Sequence, residues 1–322
     1  MRMLITGAAG FIGSHLAERL AGLGHSVVGL DNFAAYYAAE LKKLNTAALG
    51  NWGIAVHKID LRAPEGLDQL APDFDYIFHL AAQPGISTDC TFEDYLSNNV
   101  IGTKNLLDFA LRCSNLKLFV NIATSSVYGV QASFDEEKVP EPVSFYGVTK
   151  LAAEELILAA SREHQLKACS LRLYSVYGPR ERPEKLYSKL IAAAFSGEAF
   201  PLYKGSGAHL RSFTYVQDII DGIVSVIGRE TAVESQIINI GTEEEHTTQE
   251  GIDAIEKITG RTIKIQSVEP RPGDQLRTHA VIGKARRLLG YDPKTTLEDG
   301  LRAQVDWYVA HFACEEAPEA QE

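Results

Sequence analysis

Apolar runs of strand length alternate with segments of helical period along the first half of the chain. Met3 to Thr6 is followed by Phe11 to Leu23, Ser26 to Leu30 by about Tyr37 to Leu49, and Ile54 to Ile59 by a short helix. Tyr76 to Leu80 precedes a long amphipathic segment from about Phe92 to Cys113. Leu118 to Ala123 precedes a helix from Tyr146 to about His164, and Ala168 to Leu173 is a further strand. Continuously apolar strands separated by helices specify a parallel sheet covered on both faces, so the pattern predicts a doubly wound α/β fold. The alternation stops after Leu173 at the Pro/Arg-rich stretch Tyr177 to Pro183. The expected division is therefore 1–174 with about 213–262 in the sheet domain and about 175–212 with 263–314 in a smaller mixed α/β lobe. Ser235 to Ile240 reads as a strand returning to the main sheet, and 315–322 as an acidic tail.

Composition narrows the partners. A formal charge of −11 argues against nucleic acid or an anionic membrane surface, both polyanions, although Glu315, Glu316, Glu319 and Glu322 place four of those charges in the tail. No apolar run reaches the roughly 18 residues of a membrane span, and Met1 leads straight into a strand without the basic-then-apolar pattern of a signal peptide. Cys90, Cys113, Cys169 and Cys314 are far apart, with neither C-x-x-C nor a histidine cluster at metal-ligand spacing, so no metal is expected. Reduced thiols in a cytoplasmic protein are the expectation.

Two constellations carry chemistry. Tyr146 and Lys150 stand four apart at the start of an amphipathic helix, on one face, where an ammonium beside a phenol favours phenolate and makes a base. Gly7, Gly10 and Gly13 sit at the first strand-to-helix turn, where glycine allows backbone to approach a pyrophosphate and the helix N-terminus faces the anion. The second strand ends at Asp31, a carboxylate suited to an adenosine ribose. With Asn32 following rather than arginine, NAD is preferred to NADP, Lys42 and Lys43 being the residues that argue the other way. Asp60 and Leu61, after the third strand, are placed to reach the adenine.

These features, with His79-Leu80-Ala81-Ala82-Gln83, Asn98-Asn99-Val100, Thr124-Ser125-Ser126-Val127-Tyr128-Gly129 and Tyr177-Gly178-Pro179-Arg180 in the same order, resemble the extended short-chain dehydrogenase/reductase family and its NAD-dependent sugar epimerase/dehydratase group over nearly the whole chain. The resemblance implies a Rossmann domain holding NAD tightly, with Phe11 and Ile12 in the glycine turn and Leu80, Ala81, Ala82 and Asn99 beside the ribose. His79 is expected to be a buried strand-end residue. Tyr146 would be the base, Lys150 would lower its pKa and bind the cofactor ribose, and Thr124 would be the hydroxyl donor beside the reacting oxygen.

Family dehydratases resemble Thr-Asp-Glu where this chain has Thr124-Ser125-Ser126, and UDP-glucuronate decarboxylases resemble Thr-Ser-Glu. The missing carboxyls argue against elimination and disfavour decarboxylation. Flanking motifs are most similar to UDP-glucuronate 4-epimerases, which implies C4 inversion between UDP-glucuronate and UDP-galacturonate. The alternatives are a UDP-glucuronate decarboxylase, a UDP-glucose or UDP-N-acetylglucosamine 4-epimerase, and a non-catalytic NAD-binding scaffold. By the same resemblance Thr124, Ser125, Ser126 and Arg180 would hold the sugar carboxylate, and Arg211 and Arg271 the diphosphate. The segment from Pro183 to Lys189, with Leu202 and Tyr203, would flank the uridine, Asp274 would contact its ribose, and Thr278 would set the pocket width. Ser212 is assigned no catalytic weight. A homodimer through the Phe92 and Phe145 helices is expected.

Overall fold

The computed structural model describes residues 1–34, 39–85, 90–269 and 277–313. Seven strands form one parallel sheet in the order Ile237–Ile240, Ala168–Leu173, Leu118–Thr124, Tyr76–His79, Arg2–Thr6, Ser26–Asp31, Ala55–Lys58. The chain builds outward from the first strand to one edge, then returns past it to the other. Adjacent strands therefore diverge where Arg2–Thr6 pairs with Tyr76–His79, and Thr6 and His79, partners in register, stand at that switch point, the place where such sheets bind ligands. The central strands are buried on both faces. Leu118–Thr124 is buried at every position, and two apolar clusters cover the faces, one around Ile5, Phe78, Val120 and Leu171 and the other around Leu4, Ile77, Leu106 and Phe119.

The long amphipathic segment departs from the sequence pattern. In place of one uniform helix there is an α-helical turn Phe92–Tyr95, a π-helical stretch Leu96–Ile101 and an α-helix Gly102–Ala110. Side chains take carbonyls of this segment: Asn98 Nδ2 donates to Asp94 O (2.8 Å) and Thr103 Oγ1 to Asn99 O (2.5 Å). Such wide turns recur beside functional sites.

A third apolar cluster forms the smaller lobe, around Tyr177, Tyr187, Leu190, Phe213, Ile252, Ile255, Leu301 and Val305. The helix Thr248–Thr259 packs into this cluster, although the sequence pattern groups it with the sheet domain. Its Gly251 explains part of the fit, since a Cβ there would lie 2.5 Å from the Tyr187 ring. Among the described residues no helix is long and apolar enough to cross a membrane, and no cluster of histidine, cysteine or acidic residues is arranged for a metal.

Candidate active site

A cavity of about 670 Å³ runs from the glycine turn, across the strand ends, into the lobe. At its first end the backbone explains the glycines. Gly7 has φ +70°, and a Cβ there would lie 3.0 Å from the Ala81 backbone nitrogen; a Cβ on Gly13 would lie 2.1 Å from the Gly7 carbonyl oxygen. Gly10 caps the helix Phe11–Gly22 without any side-chain hydrogen bond, so its first N–H groups remain available to an anion. Gly7, Gly10, Phe11, Ile12 and Gly13 all line the cavity. These features fit a dinucleotide pyrophosphate.

Asp31 and Asn32 line the same end, as do Asp60 and Leu61. Asp31 is already engaged: Oδ1 accepts from Phe33 N and Lys42 Nζ (both 2.8 Å), and Oδ2 from Ala9 N (3.2 Å). Lys42 therefore serves as a counter-ion to Asp31. Asp60 accepts from Arg62 Nη2 at 2.6 Å and from Asn32 Nδ2 at 3.3 Å, and the Arg62 hydrogen bond holds its carboxyl down at about 2.

Leu80, Ala81 and Ala82 form the next part of the wall. They are fixed by Thr6, whose Oγ1 accepts from Leu80 N (3.2 Å) and Ala81 N (3.1 Å). Thr103 spends its hydroxyl hydrogen on Asn99 O, so its oxygen accepts from His79 Nε2–H (2.8 Å), and His79 Nδ1 then accepts from Thr6 Oγ1 (2.8 Å). Burial first, and the Lys150 charge second, push His79 down to about 3. It is a neutral structural residue. Asn99 is buried beside the cavity rather than on its wall. Its amide turns onto the backbone of Gln83, accepting from N at 2.7 Å and donating to O at 3.3 Å, and donates to Thr149 Oγ1 at 3.1 Å. Asn98 is the asparagine on the cavity wall.

At the centre stand Thr124, Ser125, Ser126, Tyr146 and Lys150. Thr124 ends its strand, and its Oγ1 accepts from Ser126 N (3.1 Å) and donates to Ser126 Oγ (3.2 Å). Ser144 caps the helix Phe145–Arg162 by accepting from Gly147 N (3.1 Å), which sets Tyr146 and Lys150 one turn apart facing the strand ends. Lys150 is buried and donates to Ile122 O at 2.6 Å. Burial pushes it down to about 8, against the opposing pull of Glu154 one turn on. At neutral pH it is mainly charged.

The lobe end carries Lys189, Leu202, Tyr203 and Arg211, as expected. Two expected residues are absent from the wall. Arg180, in a left-handed conformation (φ +69°), points back to the first helix and pairs with Glu18 at 2.8 Å. Its neighbours Glu181 and Arg182 line the cavity instead. Thr278 lies in a short strand between Arg211 and Ala132 with its side chain buried. Ser212 Oγ accepts from Ala280 N at 3.0 Å, a structural role. Arg271 and Asp274 lie outside the described residues. Glu181 and Arg182 adjoin the motif that drew attention to Arg180; the positive φ at Gly178 and Arg180 turns the chain so that the following residues face inward.

The NAD dependent epimerase/dehydratase family matches residues 3–241. An uncharacterised UDP-glucose epimerase of Bacillus subtilis is 36% identical over 311 residues, covering 95% of this chain and 97% of that one. UDP-glucuronate 4-epimerase 1 of Arabidopsis thaliana is 34% identical over 330 residues, covering 96% of this chain and 77% of the plant protein. The crystal structure of UDP-glucuronic acid 4-epimerase from Bacillus cereus with UDP-glucuronic acid and NAD is similar at a TM-score of 0.90 and 36% identity, covering 95% and 98% of the two chains.

Proposed function

Because the chain belongs to the NAD-dependent epimerase/dehydratase family, we infer that it is an NAD-dependent isomerase inverting C4 of UDP-glucuronate to give UDP-galacturonate. The observation that carries this reading is the composition of the cavity centre, where a tyrosine and a buried lysine share a wall with Thr124, Ser125 and Ser126 and no carboxyl replaces either serine. When bound, NAD supplies the acceptor and donor of the C4 hydrogen. The chain does the rest. Tyr146, kept acidic by the Lys150 ammonium, takes the proton of the 4-hydroxyl and returns it. Thr124 orients that oxygen, while Ser125 and Ser126 hold the sugar carboxylate away from the alignment that decarboxylation requires.

For the cofactor, Gly7 to Gly13 receive the pyrophosphate, Asp31 and Asn32 the adenosine ribose, and Leu80 to Ala82 the other ribose. Asn99 acts through Gln83. Lys189 and Arg211 supply positive charge to the diphosphate, Leu202 and Tyr203 border the uridine, and Arg182 takes the place assigned to Arg180. The cofactor domain is the seven-stranded sheet with its covering helices, and the substrate lobe is the third cluster. Incubation with UDP-glucuronate is expected to yield UDP-galacturonate at unchanged mass; a UDP-pentose with carbon dioxide would contradict the reading.

A homodimer through the Phe92 and Phe145 helices accounts for a groove of about 460 Å³ on their outer side, where Phe145 is 56% exposed beside Val143 and Val148. Light scattering at twice the chain mass is the expected result. The free thiols Cys90, Cys113 and Cys169 accord with a cytoplasmic setting.

A further inference from the structure

One carboxyl on the cavity wall has no part in the proton transfer. Glu181 is only 6% exposed. Its Oε2 accepts from Gln304 Nε2 (2.8 Å) on the last helix and from Ser188 Oγ (3.1 Å) on the helix Leu186–Ser196. Both are neutral donors, and Oε1 has no hydrogen-bond partner among the described residues. The charged and titratable groups facing it are Lys185 and Arg182 from its own segment and the phenols of Tyr177 and Tyr187, with Arg211 beyond Lys185 and Tyr187. Arg182 is paired with Glu184 at 2.6 Å. The carboxyl is thus buried on the cavity wall without an ion pair among the described residues.

We propose that Glu181 is a substrate-binding residue that takes up a proton when the anionic UDP-sugar binds and then donates its Oε1–H to an oxygen of the nucleotide sugar. A carboxylate left ionised there would lose its remaining hydration as the ligand closes the cavity and would face the diphosphate charges on the same wall. Protonation from solvent removes both costs, and no bond of the ligand changes. Burial already pushes this carboxyl up to about 7, against the opposing charges of Lys185 and Arg182 and the hydrogen bonds from Gln304 and Ser188. A complex that holds more protons than its free components weakens as pH rises. The dissociation constant for a UDP-sugar should therefore climb above about pH 7, by up to about tenfold per pH unit.

The inference rests on the reading that this cavity takes a UDP-sugar. The test is calorimetric titration of Tyr146→Phe holoenzyme, chosen because its turnover is expected to be at least about 10³-fold slower, with UDP-glucose, whose diphosphate does not ionise near neutrality. Titrations at pH 7.5 in buffers of different ionisation enthalpy are expected to show uptake of roughly three-quarters of a proton. Adding Glu181→Gln should abolish the uptake and flatten the dissociation constant between pH 6.5 and 8.5. Lys185 is also held below its ordinary value, chiefly by burial, and remains in the double variant, so uptake or a pH slope that persists there overturns the proposal. Failure of the Tyr146→Phe protein to bind UDP-glucose at all overturns the cavity reading and this inference with it. Should Glu181→Gln not fold, infrared difference spectra of the Tyr146→Phe protein decide: ligand must raise a protonated-carboxyl band, and its absence rules the proposal out.

Discussion

The two ends of the cavity are built on different principles. At the cofactor end backbone does the work: glycines whose added Cβ would strike main chain, an uncapped helix N-terminus, and a strand-end threonine fixing the Leu80–Ala81 amides. At the substrate end side chains on an irregular segment do it, and their directions follow from two positive φ angles at Gly178 and Arg180. The first kind of site tolerates almost no change of shape. The second kind can be retuned one side chain at a time.

That contrast can be broken at several points, beginning with the reaction centre that lies between the two ends. Tyr146→Phe is expected to lower kcat by about 10³-fold or more, beyond the ~10²–10⁴ usual for a positioned acid–base group only if the phenolate is also needed to start the reaction, while NAD stays bound; steady-state rates and cofactor released on denaturation report both. Gly13→Ala should cost roughly 3 kcal/mol or more, because the clash is with the Gly7 carbonyl rather than a movable side chain. Denaturant midpoints and bound NAD are then both expected to fall. At the other end Arg182→Ala should reduce kcat/KM for UDP-glucuronate about 10- to 100-fold with folding unchanged. Arg180→Ala, which loses a half-buried pair with Glu18, should change it less than about threefold.

A separate effect is on stability against pH. Glu181 holds a proton in the folded chain up to about 7, against an ordinary value of 4.5. The folded state therefore binds more protons than the unfolded one between these values, and the contribution of this group, fully present below pH 4.5, is lost as pH rises through 7. Glu181→Gln should gain on the parent by roughly 1–3 kcal/mol between pH 5 and 8, read as a Tm difference that widens with pH. A constant difference would show that Glu181 does not titrate there.

The legibility of the sequence follows the same division. Apolar runs such as Leu118 to Ala123 are determined by burial on both faces, so the sheet and its returning edge strand could be read directly. The place of Gly7, Gly10, Gly13, Asp31 and the Tyr146–Lys150 pair on the cavity wall was legible because each depends on local backbone geometry: a turn, a strand end, one helical step. The placing of Asn98 rather than Asn99 on the cavity wall was not, because a π-helical stretch shifts which residue faces the cavity. The direction of Arg180 was hidden for a related reason: a motif names a segment, and only the positive φ angles within it decide that Glu181 and Arg182 turn inward. Thr278 required knowing that its short strand lies between Arg211 and Ala132, a pairing distant in sequence.

In the proposed reaction hydrogen leaves C4 of the hexuronic ring and returns to the same carbon on its other face. Turnover of UDP-glucuronate carrying deuterium at C4, in ordinary water and followed by mass spectrometry and proton NMR, tests it most directly. UDP-galacturonate that keeps the label at C4 with its carboxyl group intact is the expected product. Washout of the label into solvent, or release of carbon dioxide, would contradict it.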